Sequence, residues 1–248
     1  VGGVPAATWL GQVIGWRMSF AATAVLGLVA MLSLWFALPS GEAGRRPNVR
    51  HELAVLKSPV VLLALLTTVL GAGAMFTLYT YIAPTLADIT GASPAFITGM
   101  LVLIGLGFTL GNGLGGRMAD RSLDGTLITF LVIVIIDLLA FPWIGQTSVG
   151  AAISLLIFGV ATFAVVPPLQ MGVMRAATDA PGLASSVNVG AFNLGNAVGA
   201  AAGGAVISAG LGYAAVPIAG AVIATAGLAL VLVQRAANQR RRLAVQGC

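Results

Sequence analysis

The chain has 248 residues, of which 58% are hydrophobic and only 8% are charged, and its mean hydropathy is +1.02. A soluble domain of this length cannot bury so much apolar surface, so the composition predicts a protein that the lipid bilayer surrounds. The net charge of +5 does not indicate a nucleic-acid partner, because no basic stripe with interleaved aromatic residues is present.

Apolar stretches long enough to cross a membrane recur along the chain. A spanning helix needs about 20 apolar residues, and these runs are continuous, without the alternation typical of barrel strands. The sequence therefore predicts an all-α polytopic membrane protein whose first segment, before residue 16, is too short to be a whole span. We expect full spans near residues 18–38, 58–82, 95–116, 125–143, 148–172, 183–208 and 213–234.

The distribution of Lys and Arg predicts the orientation of the chain. Eleven of the twelve basic residues fall in alternate connections or after the last span, and only Arg17 falls on the other side. The positive-inside rule makes the basic side cytoplasmic, so we expect a cytoplasmic carboxyl terminus in an inner or plasma membrane. Cys248 is the only cysteine, so an internal disulfide is excluded.

Two short patterns resemble a known family. Residues 116–121, Gly-Arg-Met-Ala-Asp-Arg, resemble the loop signature of the major facilitator superfamily, and a Gly/Pro pattern near the start resembles the motif of its antiporters. The first pattern predicts a gating loop between two spans. Its candidate residues are Gly116, Arg117, Asp120 and Arg121, and those of the antiporter-type helix are Gly3, Pro5, Gly11 and Gly15.

This resemblance implies a partial major facilitator fold, near arabinose-efflux and chloramphenicol-efflux permeases of the drug:proton antiporter branch. Residues 1–38 would be the last two helices of the N-terminal bundle and residues 39–57 the central cytoplasmic loop. Residues 58–235 would be the six-helix C-terminal bundle and residues 236–248 a cytoplasmic tail. A loose internal match of the segments that begin at Val1 and Val198 predicts about four further spans before Val1. The resemblance implies no cofactor, a proton as the coupling ion and a monomeric complete protein.

The charged pattern at residues 116–121 has two interpretations. In the first, Asp120 meets exposed backbone N–H groups at a helix boundary and Arg121 pairs across the cytoplasmic face when that face is closed. Such contacts bias one state of an alternating-access cycle by about 1–3 kcal/mol. In the second, the loop is a solvated turn whose arginines only fix the topology. Leu123 and Asp124 depart from the glycine and basic residues with which the family signature continues.

Small residues at a spacing of four predict close contacts between helices, because spans in lipid associate through backbone approach. Gly11 and Gly15 share this spacing, and the remaining predicted packing residues are Gly111, Gly115, Gly195, Gly199 and Gly203. These contacts are either static or the surfaces on which two halves rock. Pro167 and Pro168 should interrupt their helix, because each removes a backbone hydrogen bond.

Polar and aromatic residues that share a helical face inside a span predict the lining of a solute cavity. Ordinary packing between helices is the alternative for each stripe. Because the faces carry no mid-span Lys or Arg, they favour a neutral or amphipathic solute. The candidate lining residues are Phe76, Thr77, Thr80, Tyr81, Gln170, Met171, Asn188 and Phe192, and the same stripes include Phe163 and Asn193.

Asp137 is the one carboxylate well inside a predicted span, where its charged form costs about 2.5–3.5 kcal/mol at mid-bilayer. A proton relay is one interpretation. We favour pairing or snorkelling at the outer interface, because Asp137 lies nearer the outer end of its span. No metal-ligand spacing, phosphate loop or nucleophile-base set is visible, so the sequence does not indicate an enzyme.

The sequence therefore predicts a secondary transporter that exports a sugar-like or drug-like solute against inward proton flow. Its partners would be the lipid bilayer, a small-molecule solute and protons. Uptake or facilitated diffusion by the same fold is one alternative. The other is a membrane fragment or scaffold that does not transport.

Overall fold

The computed structural model describes residues 15–37 and 54–246, except for the side chains of residue 238 and of residues 240–246. The chain divides into two compact units, residues 1–50 and residues 51–248. This division falls inside the predicted central loop at residues 39–57. Gly3, Pro5 and Gly11 of the antiporter-type motif lie outside the described residues.

The described part of the first unit is one helix, α1 (Trp16–Ala37). Gly15 precedes it with φ 87°, a left-handed backbone conformation that glycine adopts without steric cost. A Cβ on Gly15 would meet nothing within 4 Å among the described residues. Gly15 is therefore a turn residue before a helix, and its predicted helix packing meets no contact among the described residues.

The described part of the second unit is also helical. Its helices are α2 (Pro59–Thr80), α3 (Ile82–Ile89), α4 (Pro94–Arg121), α5 (Leu123–Ile144), α6 (Ser148–Ala164), α7 (Val166–Ala176), α8 (Pro181–Ser208) and α9 (Ala215–Gln246). The last of these runs well past residue 235. The predicted tail at residues 236–248 is therefore helical as far as Gln246.

Hydroxyl side chains mark the beginnings of four helices. Each accepts a hydrogen bond from a backbone N–H in the first turn, which satisfies a donor that has no partner inside the helix. In α2 and α4 a proline follows the capping serine, and its fixed φ suits the first helical position. The capping residues are Ser58, Ser93, Ser122 and Thr147.

Two long helical segments are each interrupted a few residues before a proline. The rod from Ser148 to Ala176 breaks at Val165, because Pro167 and Pro168 have no N–H to donate back to the preceding turn. The other rod breaks at Tyr81, three residues before Pro84. The predicted interruption at the proline pair is confirmed, and the predicted span at residues 58–82 corresponds to α2, which the short helix α3 follows after Tyr81.

Six helical segments of the described chain are long and apolar enough to cross a membrane, and they correspond to six of the seven predicted spans. The seventh, α8, has 28 residues, which is about 42 Å of helix. It is not among the six, because glycines and three asparagines lower its hydropathy. A membrane-spanning α8 therefore stays a prediction.

The core of the second unit lies between α2, α4, α5, α6 and α9. Phe141, Leu138, Leu155 and Phe158 are fully buried there. Many large apolar side chains of the same helices are exposed on the outside, as expected of helices whose outer surface meets lipid.

Candidate functional site

A cavity of about 290 Å³ opens between α2, α6, α7 and α8. Aromatic and aliphatic side chains form most of its wall, and four uncharged polar side chains complete it. No charged residue lines it among the described residues. The lining residues are Thr68, Phe163, Val166, Leu169, Gln170, Asn188, Val189, Phe192 and Asn193.

A chain of side-chain hydrogen bonds ties three of these helices together at the cavity. The Thr68 hydroxyl on α2 donates to Asn188 Oδ1 on α8 at 2.7 Å, and Asn188 Nδ2 donates to Gln170 Oε1 on α7 at 2.5 Å. Gln170 Nε2 in turn donates to Ser185 Oγ at 2.6 Å. Each amide uses its carbonyl oxygen and one N–H in this chain. The second N–H of each amide has no hydrogen-bond partner among the described residues.

Aromatic rings on α2, α4, α6 and α8 form a continuous series of contacts beside the cavity. Phe192 contacts Phe76 edge to face with ring centroids 6.1 Å apart, and Phe76 contacts Tyr79 at 5.7 Å. Phe108 continues the series from Tyr79 at 5.6 Å and stacks on Phe163 at 4.0 Å. The series begins and ends at cavity residues, so Phe192 and Phe163 present apolar ring surface to the cavity.

The structure brings together half of the predicted cavity residues. Gln170, Asn188 and Phe192 line the cavity, and Phe76 contacts it through Phe192. Thr80 and Met171 are not among the lining residues. That these residues line a solute cavity stays a prediction.

Thr77 and Tyr81 belong instead to the contact between α2 and α8. The Thr77 hydroxyl donates to Gly73 O at 2.7 Å. The Tyr81 hydroxyl donates to Ala200 O at 2.9 Å, and its ring lies against Gly203. Neither residue lines the cavity, and the glycines of α8 lie against the Tyr81 ring and the Thr77 backbone.

Thr68 is a cavity residue that the sequence reasoning missed. It lies on the opposite half of α2 from the predicted stripe at Phe76 and Thr80. A polar side chain inside an apolar run was the signal that could have found it, since a buried hydroxyl in a span usually has a partner on another helix.

The glycine pairs lie where helices cross most closely. A Cβ on Gly195 would lie 2.5 Å from Val69 O, and one on Gly199 would lie 2.9 Å from Thr77 N, both on α2. On the other side of the bundle, a Cβ on Gly115 would lie 2.6 Å from Ala164 Cα, and one on Gly111 would overlap Val160. These glycines let the α2–α8 and α4–α6 backbones touch.

The charged pattern at residues 116–121 is not a loop. It forms the end of α4, and Ser122 alone connects α4 to α5. Ser122 Oγ, rather than Asp120, accepts the hydrogen bond from Gly125 N at 3.1 Å. The predicted contact of Asp120 with backbone N–H groups is therefore wrong, because Asp120 lies at the carbonyl end of its helix, where the N–H groups are already bonded.

Asp120 and Arg121 are exposed and form no ion pair with each other or with any other described residue. Gly116 has a negative φ and no atom within 4 Å of a Cβ placed on it. The pattern thus presents a charged, unpaired helix end.

Asp137 faces the inside of the bundle. Its side chain is buried, and Ser154 Oγ on α6 donates to Oδ1 at 2.7 Å. The other oxygen, Oδ2, is buried without a hydrogen-bond partner among the described residues. The favoured prediction, snorkelling at the outer interface, is wrong, because α5 turns this face toward α6.

A second cavity of about 240 Å³ lies where α2, α5, α7 and α9 meet near the charged helix end. Asp124, Arg175 and Gln234 are among its lining residues. No group of three His, Cys, Asp or Glu residues that could hold a metal ion occurs in the described ranges.

Comparison with known proteins identifies the family of this chain. The sequence pattern of the Major Facilitator Superfamily matches residues 1–189. The chain belongs to the major facilitator superfamily. It is 68% identical over 210 residues to the inner membrane transport protein YdhP of Escherichia coli K12, with 85% of this chain and 54% of that protein covered.

Two further relatives of this superfamily member are more distant. The putative transporter AraJ of E. coli K12 is 32% identical over 210 residues, which cover 84% of this chain and 53% of AraJ. The chloramphenicol resistance protein of Streptomyces lividans is 34% identical over 203 residues, which cover 80% of this chain and 52% of that protein. The chain spans about half the length of the curated relatives that it matches.

A solved structure shares the fold of this major facilitator chain. It is a bacterial homologue of the human lysosomal transporter Spinster, in an inward-facing and unoccupied conformation. The TM-score is 0.51 at 18% sequence identity, with 94% of this chain and 62% of that chain covered. The fold is therefore a partial major facilitator fold, and the chain is part of a multi-pass membrane protein.

Proposed function

We propose that this chain is the solute-binding C-terminal half, with the end of the N-terminal half, of a proton-coupled exporter. The exporter moves a small neutral or amphipathic solute by alternating access. It is not an enzyme, needs no cofactor and acts as a monomer in the inner or plasma membrane, with its C-terminus cytoplasmic. The observation that carries this proposal is the uncharged cavity with its chain of amide and hydroxyl hydrogen bonds.

The cavity chemistry supports the solute class. A charged solute would lose its hydration in this cavity and would meet no countercharge among the described lining residues. Burying such an unpaired charge is energetically costly. A neutral solute loses less hydration, and the free amide N–H groups of Gln170 and Asn188 can donate to its oxygens. Phe163 and Phe192 offer apolar faces on the same cavity. A drug-like solute and a sugar-like solute both fit this description.

The charged end of α4 supports a gating role in the complete protein. Asp120 and Arg121 are exposed and unpaired within the described residues, so both are able to pair with another part of the transporter when one face closes. Such pairs would form in one state only and would favour that state by about 1–3 kcal/mol. The alternative, a solvated end that only fixes the topology, predicts no effect on transport.

Transport by the full-length protein in everted membrane vesicles tests the function. We expect accumulation of radiolabelled chloramphenicol or L-arabinose in the vesicles when respiration acidifies their interior, and loss of it when an uncoupler collapses the proton gradient. An empty-vector strain and the Asn188→Ala variant are the controls. Solute entry that persists with the uncoupler but stops at the outside concentration favours a facilitative carrier, and uptake into intact cells favours import.

A further inference from the structure

The buried carboxyl of Asp137 lies outside the solute cavity and has no role in the solute contacts described above. Asp137 lies in the interior between α5 and α6, and Ser154 Oγ donates to Oδ1 at 2.7 Å. Its Oδ2 atom is buried and has no partner among the described residues. A charged carboxylate needs several donors or a nearby cation, and one hydroxyl does not supply them.

Among the side chains that the structure describes, no countercharge lies near Asp137 on the helices packed against α5. The α6 sequence has no charged residue, and the described charges of α4, α7 and α9 lie at the ends near Ser122: Arg117, Asp120, Arg121, Arg175 and Arg235. The backbone of α9 carries Arg240 to Arg242 further along the helix beyond Arg235. Asp124, on α5 itself, lies at that end as well. Asp137 is 15 residues beyond Ser122, which is about 22 Å along the helix. At the opposite end, the nearest charge in the sequence is Asp88, which is exposed on α3 and has the same sign.

We propose that Asp137 is a proton-binding site of the carrier, occupied in the packing seen here. The carboxylate takes up one proton and becomes a neutral carboxylic acid that shares a hydrogen bond with Ser154. The reverse step returns the same proton to water, and it requires α5 and α6 to separate so that water and ions reach the carboxylate. Neutralisation removes the main cost of burying this group.

One helix connects this proton site to the solute cavity. Ser154 and Phe163 both belong to α6, nine residues or about 13 Å apart. Ser154 bonds to Asp137, and Phe163 lines the cavity just before the break at Val165. A movement of α6 that reshapes the cavity therefore strains or breaks the bond to Asp137. This coupling role rests on the proton-driven export proposed above.

Infrared difference spectroscopy of the purified full-length protein tests the proton site without transport. We expect a protonated carboxyl band at neutral pH that is absent in Asp137→Asn and unchanged in Asp124→Asn, a matched control on the same helix. Ser154→Ala should move the pH at which the band disappears. A wild-type spectrum without a band that Asp137→Asn removes overturns the proposal. If Asp137→Asn does not fold, the comparison of the wild type with Ser154→Ala tests the proton site. An equal pH midpoint for the loss of the carboxyl band in these two proteins counts against the proposal.

Transport assays test the coupling role. In proteoliposomes, Asp137→Asn should keep solute exchange without a gradient and lose proton-driven accumulation about tenfold, whereas Asp124→Asn should keep both. Equal proton-driven accumulation by wild type and Asp137→Asn refutes the coupling role and leaves the exporter function intact. If the wild type shows the carboxyl band but no proton-driven transport, the exporter proposal and the coupling role are both refuted. The proton site at Asp137 is still supported in that case.

Discussion

The Thr68 hydroxyl on α2 donates a hydrogen bond to Asn188 Oδ1 on α8 at 2.7 Å, and both side chains are buried at the cavity between α2, α6, α7 and α8. This bond joins two helices that are 120 residues apart in the chain and holds the Asn188 amide in one orientation. The fixed amide then donates to Gln170.

We expect Thr68→Val to loosen this network without changing the shape of the cavity, because valine replaces the hydroxyl by a methyl group of similar size. The free energy of unfolding should fall by about 1 kcal/mol, the usual worth of such a bond between spans. The apparent affinity for the transported solute should fall as well, since Asn188 is no longer oriented. Thermal unfolding in detergent and the KM for the solute measure the two effects. Thr129→Val, at an exposed position on α5, is the control and should change neither.

Gly199 should be intolerant of any side chain. A Cβ at this position would overlap Gly73 O and lie 2.9 Å from Thr77 N, so α2 and α8 would have to separate. We expect Gly199→Ala to lower the free energy of unfolding by about 1–3 kcal/mol, as overpacking does. Gly190→Ala is the matched control on the same helix, because a Cβ there meets nothing within 4 Å. Equal stability of the two variants in a thermal unfolding series would contradict the α2–α8 crossing.

Gly115 and Gly116 are neighbours in sequence and should respond oppositely to alanine. A Cβ on Gly115 would lie 2.6 Å from Ala164 Cα on α6, whereas one on Gly116 would have free space. Gly115→Ala should therefore destabilise the protein by about 1–3 kcal/mol. Gly116→Ala should be neutral or stabilising by up to about 1 kcal/mol, because α4 continues through it and alanine favours a helix. Chemical denaturation of both variants measures this. A large loss of stability in Gly116→Ala would instead support the predicted loop at residues 116–121.

The charged end of α4 should affect transport more than stability. We expect Asp120→Asn and Arg121→Gln to leave the unfolding temperature unchanged, since neither side chain has an ion-pair partner among the described residues. Solute export by the full-length protein should fall about fivefold or more, in line with a lost coupling energy of about 1 kcal/mol. Asp179→Asn, an exposed carboxylate outside the pattern, is the control. Unchanged export in both variants would support the solvated-end interpretation.

Phe192 should contribute to the binding of an aromatic solute. Its ring lines the cavity and meets Phe76 edge to face, so Phe192→Ala removes an apolar wall. We expect the apparent Kd for chloramphenicol, measured by scintillation proximity with purified protein, to rise about tenfold, which corresponds to about 1.4 kcal/mol of ring contact. Phe192→Tyr keeps the ring and should bind nearly as well as the wild type. If both variants bind as the wild type does, the cavity holds the solute elsewhere.

The helices and their ends could be read largely from the sequence. Continuous apolar runs give helices in lipid, because unpaired backbone groups are too costly there. Serine followed by proline is a local signal for the starts of α2 and α4, and Pro167 with Pro168 predicted the break between α6 and α7. Each of these signals is local, since it depends on residues within one turn of the helix.

The faces of the helices depended on the tertiary structure. Asp137 bonds to Ser154 inside the bundle rather than reaching the interface, and Tyr81 fills the contact with α8 rather than the cavity. Asp120 lies on a helix end and not in a loop. The rotation of each helix about its axis is fixed by close backbone contacts with its neighbours, and no periodicity within one helix reveals that rotation.

Composition, the spacing of charges and the two short patterns were enough to determine a helical membrane protein of the major facilitator superfamily, because the bilayer leaves a chain of this hydropathy few choices. Only the tertiary structure decided which polar groups meet. Thr68, Gln170 and Asn188 are distant in sequence and become a single site because glycines such as Gly199 let α2 and α8 touch. Contacts between helices in lipid depend on surface shape, and shape arises only when the helices pack.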